Sequence, residues 1–197
     1  MLSRVVAVCL VSILSFSAAM QYARANTLLL EEILTGGAPR GRTGGLFGGS
    51  SSIPRTTVNY AGRELPGTIV INTGERRLYL VLGNGQALRY GIGVGRVGFT
   101  WAGVTRVSAK REWPSWTPPA QMLRRRPDLP RFMKGGPDNP LGARAMYLGS
   151  SLFRIHGSNE PETIGQAVSS GCFRLTNEDV IDLYGRVQVG AKVIVLR

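Results

Sequence analysis

A single imidazole and a nearby thiol are the groups in this chain best placed to do chemistry. His156 is the only histidine, and Cys172 follows it by sixteen positions in the string Val168-Ser-Ser-Gly-Cys-Phe-Arg-Leu175. The thiolate is the attacking form of cysteine, and an imidazole within hydrogen-bond reach takes its proton. Arg174 would favour that thiolate by Coulomb attraction if it points toward the sulfur. Gly171 admits unusual backbone dihedrals and close approach of a substrate, so N–H groups around Ser170 to Cys172 would be free to stabilise an oxyanion. A buried cysteine is otherwise a small hydrophobe, and a single histidine is often structural. Spacing alone leaves the two readings evenly matched. A strand-ending His156-Gly157, a Ser-Ser-Gly-Cys turn and a long irregular loop tip the balance toward nucleophilic catalysis.

Those residues need a rigid frame, and the pattern around them is mostly strand. Gly67 to Thr73 is apolar and β-branched, Arg77 to Leu82 is a second run, and Ala87 to Val94 a third. Turn signals at Gly74-Glu75 and Gly83-Asn84-Gly85 join them into a meander. Val104–Ala109, Ala145–Leu148 and Leu152–Ile155 read as further strands, the last leading into His156. After Cys172 the period changes. Thr176-Asn-Glu-Asp resembles a capping box, and Val180, Ile181, Leu183, Tyr184 and Val187 form one helical face. Lys192 to Arg197 closes the chain as a strand. The predicted fold is mainly antiparallel β with one or two short helices. Residues 113–142, rich in Pro, Gly and Arg, form a long loop, and such loops are usually functional or disordered. Trp101, Trp113 and Trp116 either line a cleft under it or pack it. Asp128 and Asp138 fit a carboxylate pair for glycoside hydrolysis, but turn residues beside proline explain them more simply.

The 197 residues carry a net charge of +12 with 43% hydrophobic side chains and two cysteines. That is too apolar for a disordered chain and too cysteine-poor for a disulfide scaffold. One histidine and two cysteines cannot close a Cys/His zinc site within a monomer. Arg4, an apolar run over residues 5–19 and Ala23-Arg24-Ala25 describe a signal peptide over residues 1–25. The run is short for a membrane anchor, and Cys9 is a poor lipoprotein site because the apolar run continues past it. Cleavage would leave Cys172 without an internal disulfide partner. Residues 26–57 comprise a short helix, Asn26 to Leu34, and a flexible Gly/Ser/Arg-rich linker. An RNA-binding arginine–glycine segment is the sharper reading of that linker, but its two arginines are few and an exported protein rarely meets RNA. The compact domain is expected over residues 58–197.

The string His156-Gly-Ser-Asn-Glu-Pro-Glu-Thr-Ile-Gly, followed by Val168-Ser-Ser-Gly-Cys-Phe-Arg-Leu-Thr-Asn-Glu-Asp-Val-Ile-Asp-Leu-Tyr184, resembles the catalytic signature of bacterial L,D-transpeptidases of the YkuD type, ErfK-like branch. Gly91 to Gly103, Glu112 to Met122 and Gly136 to Gly142 resemble other segments of that family. The resemblance implies a β-sandwich catalytic fold with a long loop over the active-site cleft, Cys172 as nucleophile and His156 as general base and acid. It assigns Gly157, Ser169, Ser170, Gly171 and Arg174 to the oxyanion and substrate-binding surroundings. Ser170 stands where many members have a second histidine. The implied reaction is acyl transfer on peptidoglycan stem peptides in the periplasm or envelope, through a Cys172 thioester, with no metal or cofactor. The acceptor would be another stem peptide or an outer-membrane protein; water would make the enzyme a carboxypeptidase, and a free D-amino acid would give exchange. Neither nucleic acid nor a membrane span after signal cleavage is expected. Cell-wall hydrolases of the NlpC/P60 type place their cysteine before the histidine, the reverse of the order here. A non-catalytic wall-binding protein on the same scaffold is the remaining alternative.

Overall fold

A computed structural model describes residues 53–197. The expected signal peptide, the helix at Asn26 to Leu34 and the Gly/Ser/Arg tract lie outside the described residues.

Strand β1 spans Thr56–Asn59, β2 Ile69–Asn72, β3 Arg77–Gly83 and β4 Gln86–Gly91. The last three form the expected antiparallel meander. Asn84 and Gly85 make its tight turn, with φ of 51° and 69°, the left-handed pair that matches the twist of a two-residue hairpin. Ile69, Val70 and Ile71 are all buried, as a strand covered on both faces requires. Strand β11, Lys192–Leu196, lies beside β2 and parallel to it, so the meander is extended by the last of the described elements.

Strand β6, Gly103–Glu112, is longer than the Val104–Ala109 expected, and it serves two neighbours. Residues 103–106 pair with β11, whereas residues 107–112 pair with β7 (Arg144–Leu148), across an irregularity between Val107 and Ala109. An extra residue at such a point bends the strand. One wing runs β1-β4-β3-β2-β11-β6, and the other runs β6-β7-β8-β10, where β8 is Arg154–His156 and β10 is Phe173–Arg174. The short β5 (Val94–Gly95) and β9 (Ala167–Ser169) pair separately. The sheet is mixed, since β2–β11 and β8–β10 are parallel.

One core takes side chains from both wings: Ile71, Leu80 and Tyr90 from the first, Met146, Ile155 and Phe173 from the second. Helix α2, Asn177–Arg186, contributes Val180 and Leu183 to it. Thr176 caps this helix by accepting the Asp179 N–H at 3.1 Å. Lys110 Nζ donates to Tyr184 O and Val187 O at its other end, both at 2.6 Å.

The long loop of residues 113–142 contains a helix that the sequence pattern does not show, α1 (Ala120–Arg125), which buries none of its residues. Buried Asn139 ties the loop base together, donating to Lys134 O at 2.9 Å and accepting the Leu141 N–H at 2.9 Å. Neither Asp128 nor Asp138 lines a cavity with His156 and Cys172. Asp128 forks with exposed Arg126 at 2.8 and 2.6 Å, which holds its carboxyl below the usual range.

Candidate active site

Strands β8 and β10 run parallel with Ile155 opposite Phe173 and His156 opposite Arg174. Side chains alternate across a strand. Ile155 and Phe173 therefore point together into the core, where both are fully buried. Arg154, His156, Cys172 and Arg174 occupy the other face, and all four line a cleft of about 300 Å³. The period-two rule places the thiol and the imidazole on one wall although sixteen residues separate them in sequence.

The turn before Cys172 is built by Ser169 and Gly171. Buried Ser169 donates from Oγ to Cys172 O at 2.7 Å and accepts the Gly171 N–H at 3.1 Å. Gly171 has φ 109°, and a Cβ there would lie 2.5 Å from the Phe153 ring. Trp101 supports the turn from behind. Its ring stacks on Phe153 at 4.9 Å, and Nε1 donates to Gly171 O at 3.4 Å.

This geometry refines the expected oxyanion set. The Gly171 N–H is taken by Ser169, and the Gly157 N–H donates to Arg144 O at 3.0 Å. Gly157 is a packing glycine instead. A Cβ on it would meet Asn177 Oδ1 at 2.3 Å, the atom that accepts the Ala143 N–H at 2.8 Å. The N–H groups of Ser170 and Cys172 are the donors left to the turn. Of the three tryptophans, Trp116 lines the cleft; Trp101 and Trp113 do not. Trp116 is held by reciprocal main-chain hydrogen bonds to Met133, each 2.8 Å.

His156 is buried, with Nδ1 2.6 Å from Gly157 O. A carbonyl only accepts, so Nδ1 carries the proton and Nε2 keeps its lone pair. Burial pushes the His156 pKa down to about 3; the charges of Arg174 and Arg154 add to this, while carbonyls of Gly157 and Leu141 oppose it. Burial likewise pushes the Cys172 thiol up, against the pull of Arg154 and, less strongly, Arg174. The cleft thus holds a neutral thiol and a neutral imidazole on one wall. The hydrogen bond of the sulfur runs to Leu152 O at 3.8 Å, not to the ring. Arg174 is already engaged by Glu160 at 3.0 Å, so the cation expected to favour the thiolate is largely spent elsewhere. Arg154, which sequence reading passed over, acts on the sulfur more strongly; alternation from His156 would have found it.

Helix α1 and Trp116 roof the cleft. Beyond Trp116, Met122 and Arg125 lies an adjoining hollow of about 610 Å³ that adds Arg96, Arg126 and Glu160. Among the described residues, no cluster of three or more His, Cys, Asp or Glu side chains is arranged to hold a metal. No helix among them is long and apolar enough to cross a membrane.

The YkuD model, an L,D-transpeptidase catalytic domain, matches residues 66–195, more than half of the chain. The probable L,D-transpeptidase ErfK/SrfK of Escherichia coli is 40% identical over 137 residues, covering 65% of this chain and 43% of that protein. The chain thus spans less than half the length of this curated relative. A solved structure from Brucella melitensis, described as a probable carnitine operon oxidoreductase, is 47% identical with a TM-score of 0.51, covering 75% of this chain and 96% of that one. An L,D-transpeptidase from Mycobacterium smegmatis shares the fold at a TM-score of 0.54 and 18% identity, covering 66% of this chain and 58% of its own. Because the catalytic-domain model covers both the His156 strand and the Cys172 turn, the chain belongs to the YkuD family of L,D-transpeptidase catalytic domains.

Proposed function

We propose that this chain is an exported L,D-transpeptidase acting on peptidoglycan stem peptides through a Cys172 thioester. The observation that carries the reading is the shared cleft wall: Cys172 and His156 project from the same face of β8–β10, beside a turn with two available N–H donors. Export rests on the N-terminal pattern of Arg4, the apolar run and Ala23-Arg24-Ala25.

In this reading the stem peptide enters under Trp116 and α1. Its carbonyl oxygen meets the Ser170 and Cys172 N–H groups, which stabilise developing negative charge. Cys172 Sγ bonds to the carbonyl carbon of the third stem residue as the thiol proton passes to His156. The carbon–nitrogen bond to the terminal D-alanine breaks, and His156 gives the proton to the departing amine. An acceptor amine then attacks the thioester, transferring its own proton through His156 back to sulfur. An amine from a second stem yields a 3→3 cross-link, and one from an envelope protein yields an anchor. Burial keeps the imidazole neutral at rest, which leaves Nε2 ready to accept the thiol proton.

The test is mass spectrometry of the purified chain mixed with tetrapeptide-bearing wall fragments. The expected result is release of D-alanine with a transient acyl adduct on Cys172, resolved into cross-linked product when a second stem is present. Absence of both adduct and D-alanine release would overturn the reading. Release without any amine-linked product would make the enzyme a carboxypeptidase.

A further inference from the structure

The His156–Arg174 and Ile155–Phe173 pairs fix the β8–β10 register. Continued back by one residue, that register sets Cys172 beside Arg154. On its other side Arg154 pairs with Tyr147 of β7, and its guanidinium lies over the Tyr147 ring at 5.1 Å. Its Nη1 donates to Leu152 O at 3.1 Å. That same carbonyl accepts the Cys172 thiol at 3.8 Å. The Nε–H of Arg154 is buried and has no hydrogen-bond partner. An unpaired buried donor is costly and needs a compensating acceptor.

We propose that Arg154 is the charge partner of the Cys172 thiolate, its guanidinium fork anchored on Leu152 O while its spare donor serves the ionised sulfur. This rests on the reading of Cys172 as the nucleophile. When the thiol gives up its proton it can no longer donate to Leu152 O. The sulfur then becomes an acceptor on the wall where Arg154 has a donor to spare. The other charged or titratable groups facing the sulfur are fewer. His156 on β8 is neutral, Arg174 on β10 is paired with Glu160, and Arg125 reaches the cleft from α1. The Arg154 main chain and side chain both pull the thiol down against the effect of burial, ahead of Arg174.

The experiment measures the pH dependence of Cys172 alkylation by iodoacetamide in the full chain, read by mass at the Cys172 peptide so that Cys9 does not interfere. Arg154→Gln is expected to raise the midpoint by about one pH unit or more, giving roughly tenfold slower alkylation at neutral pH. Arg154→Lys keeps the charge but loses the fork, so a smaller rise of roughly half a unit is expected. Thermal melting shows which variants are folded. An unchanged midpoint in either folded variant would overturn the proposal. A raised KM with an unaltered alkylation profile would do the same, because the donor would then serve the substrate rather than the sulfur. Alkylation reads the thiol alone, so a shifted midpoint without any transfer to wall fragments would sink the proposed function and leave this assignment standing.

Discussion

At the scale of single residues, the cleft holds two groups that burial keeps uncharged, so the proposed reaction would start by moving a proton rather than from a standing ion pair. Cys172→Ala is expected to abolish adduct formation while fragment binding changes by no more than a few-fold, measured by mass and by equilibrium binding. His156→Gln should slow acylation of the thiol strongly near neutral pH and less at high pH, where the thiolate forms unaided; a defect of equal size at every pH would make His156 structural. The imidazole also links stability to pH. In the fold it takes a proton only near pH 3, against 6.5 for an unperturbed histidine. Between those values the unfolded chain holds the extra proton, so stability falls as pH drops from about 6.5 toward 3, by at most about 1.4 kcal/mol per unit. Melting temperatures across that range should show the slope, and His156→Gln should flatten it.

At the scale of elements, the placement of Cys172 depends on how tightly its turn is wedged. Gly171→Ala would force a Cβ into the Phe153 ring at a positive φ, which costs about 1–2 kcal/mol for the dihedral alone. A melting temperature lower by several degrees and loss of acylation are expected together. Much of this level was legible in advance. The meander follows from apolar, β-branched runs joined by two Gly-containing turns, and α2 follows from its cap and its apolar face. The pairing of β11 with β2 was not legible, because it joins Val193–Leu196 to Ile69–Asn72 across most of the domain and no local pattern encodes a parallel partner. Helix α1 escaped for a different reason. It buries nothing, so it has no apolar stripe to show. The motif singles out Cys172 and His156, and both line the cleft. The hydrogen bonds that occupy the Gly157 and Gly171 N–H groups depend on Arg144 and Ser169 geometry that spacing does not carry, and Arg154 reaches the sulfur only through the β8–β10 register.

At the scale of the whole molecule, the excess of cations sets how the chain meets its surroundings. The net charge is +12, and Arg125 and Arg126 border the hollow beside the cleft. Attraction to anionic wall fragments should weaken clearly between about 0.05 and 0.5 M salt, as exposed charges become screened, and a binding isotherm at each ionic strength checks this. The place of β11 has a consequence for how such a chain is made. It is synthesised after every other described element, yet it sits between β2 and β6 in the middle of the sheet. During any vectorial process, whether emergence from a ribosome or threading through a pore, β2 and β6 wait with raw edges exposed. The two wings join only once β11 is in place, so those open edges are where a holding chaperone would be expected to bind.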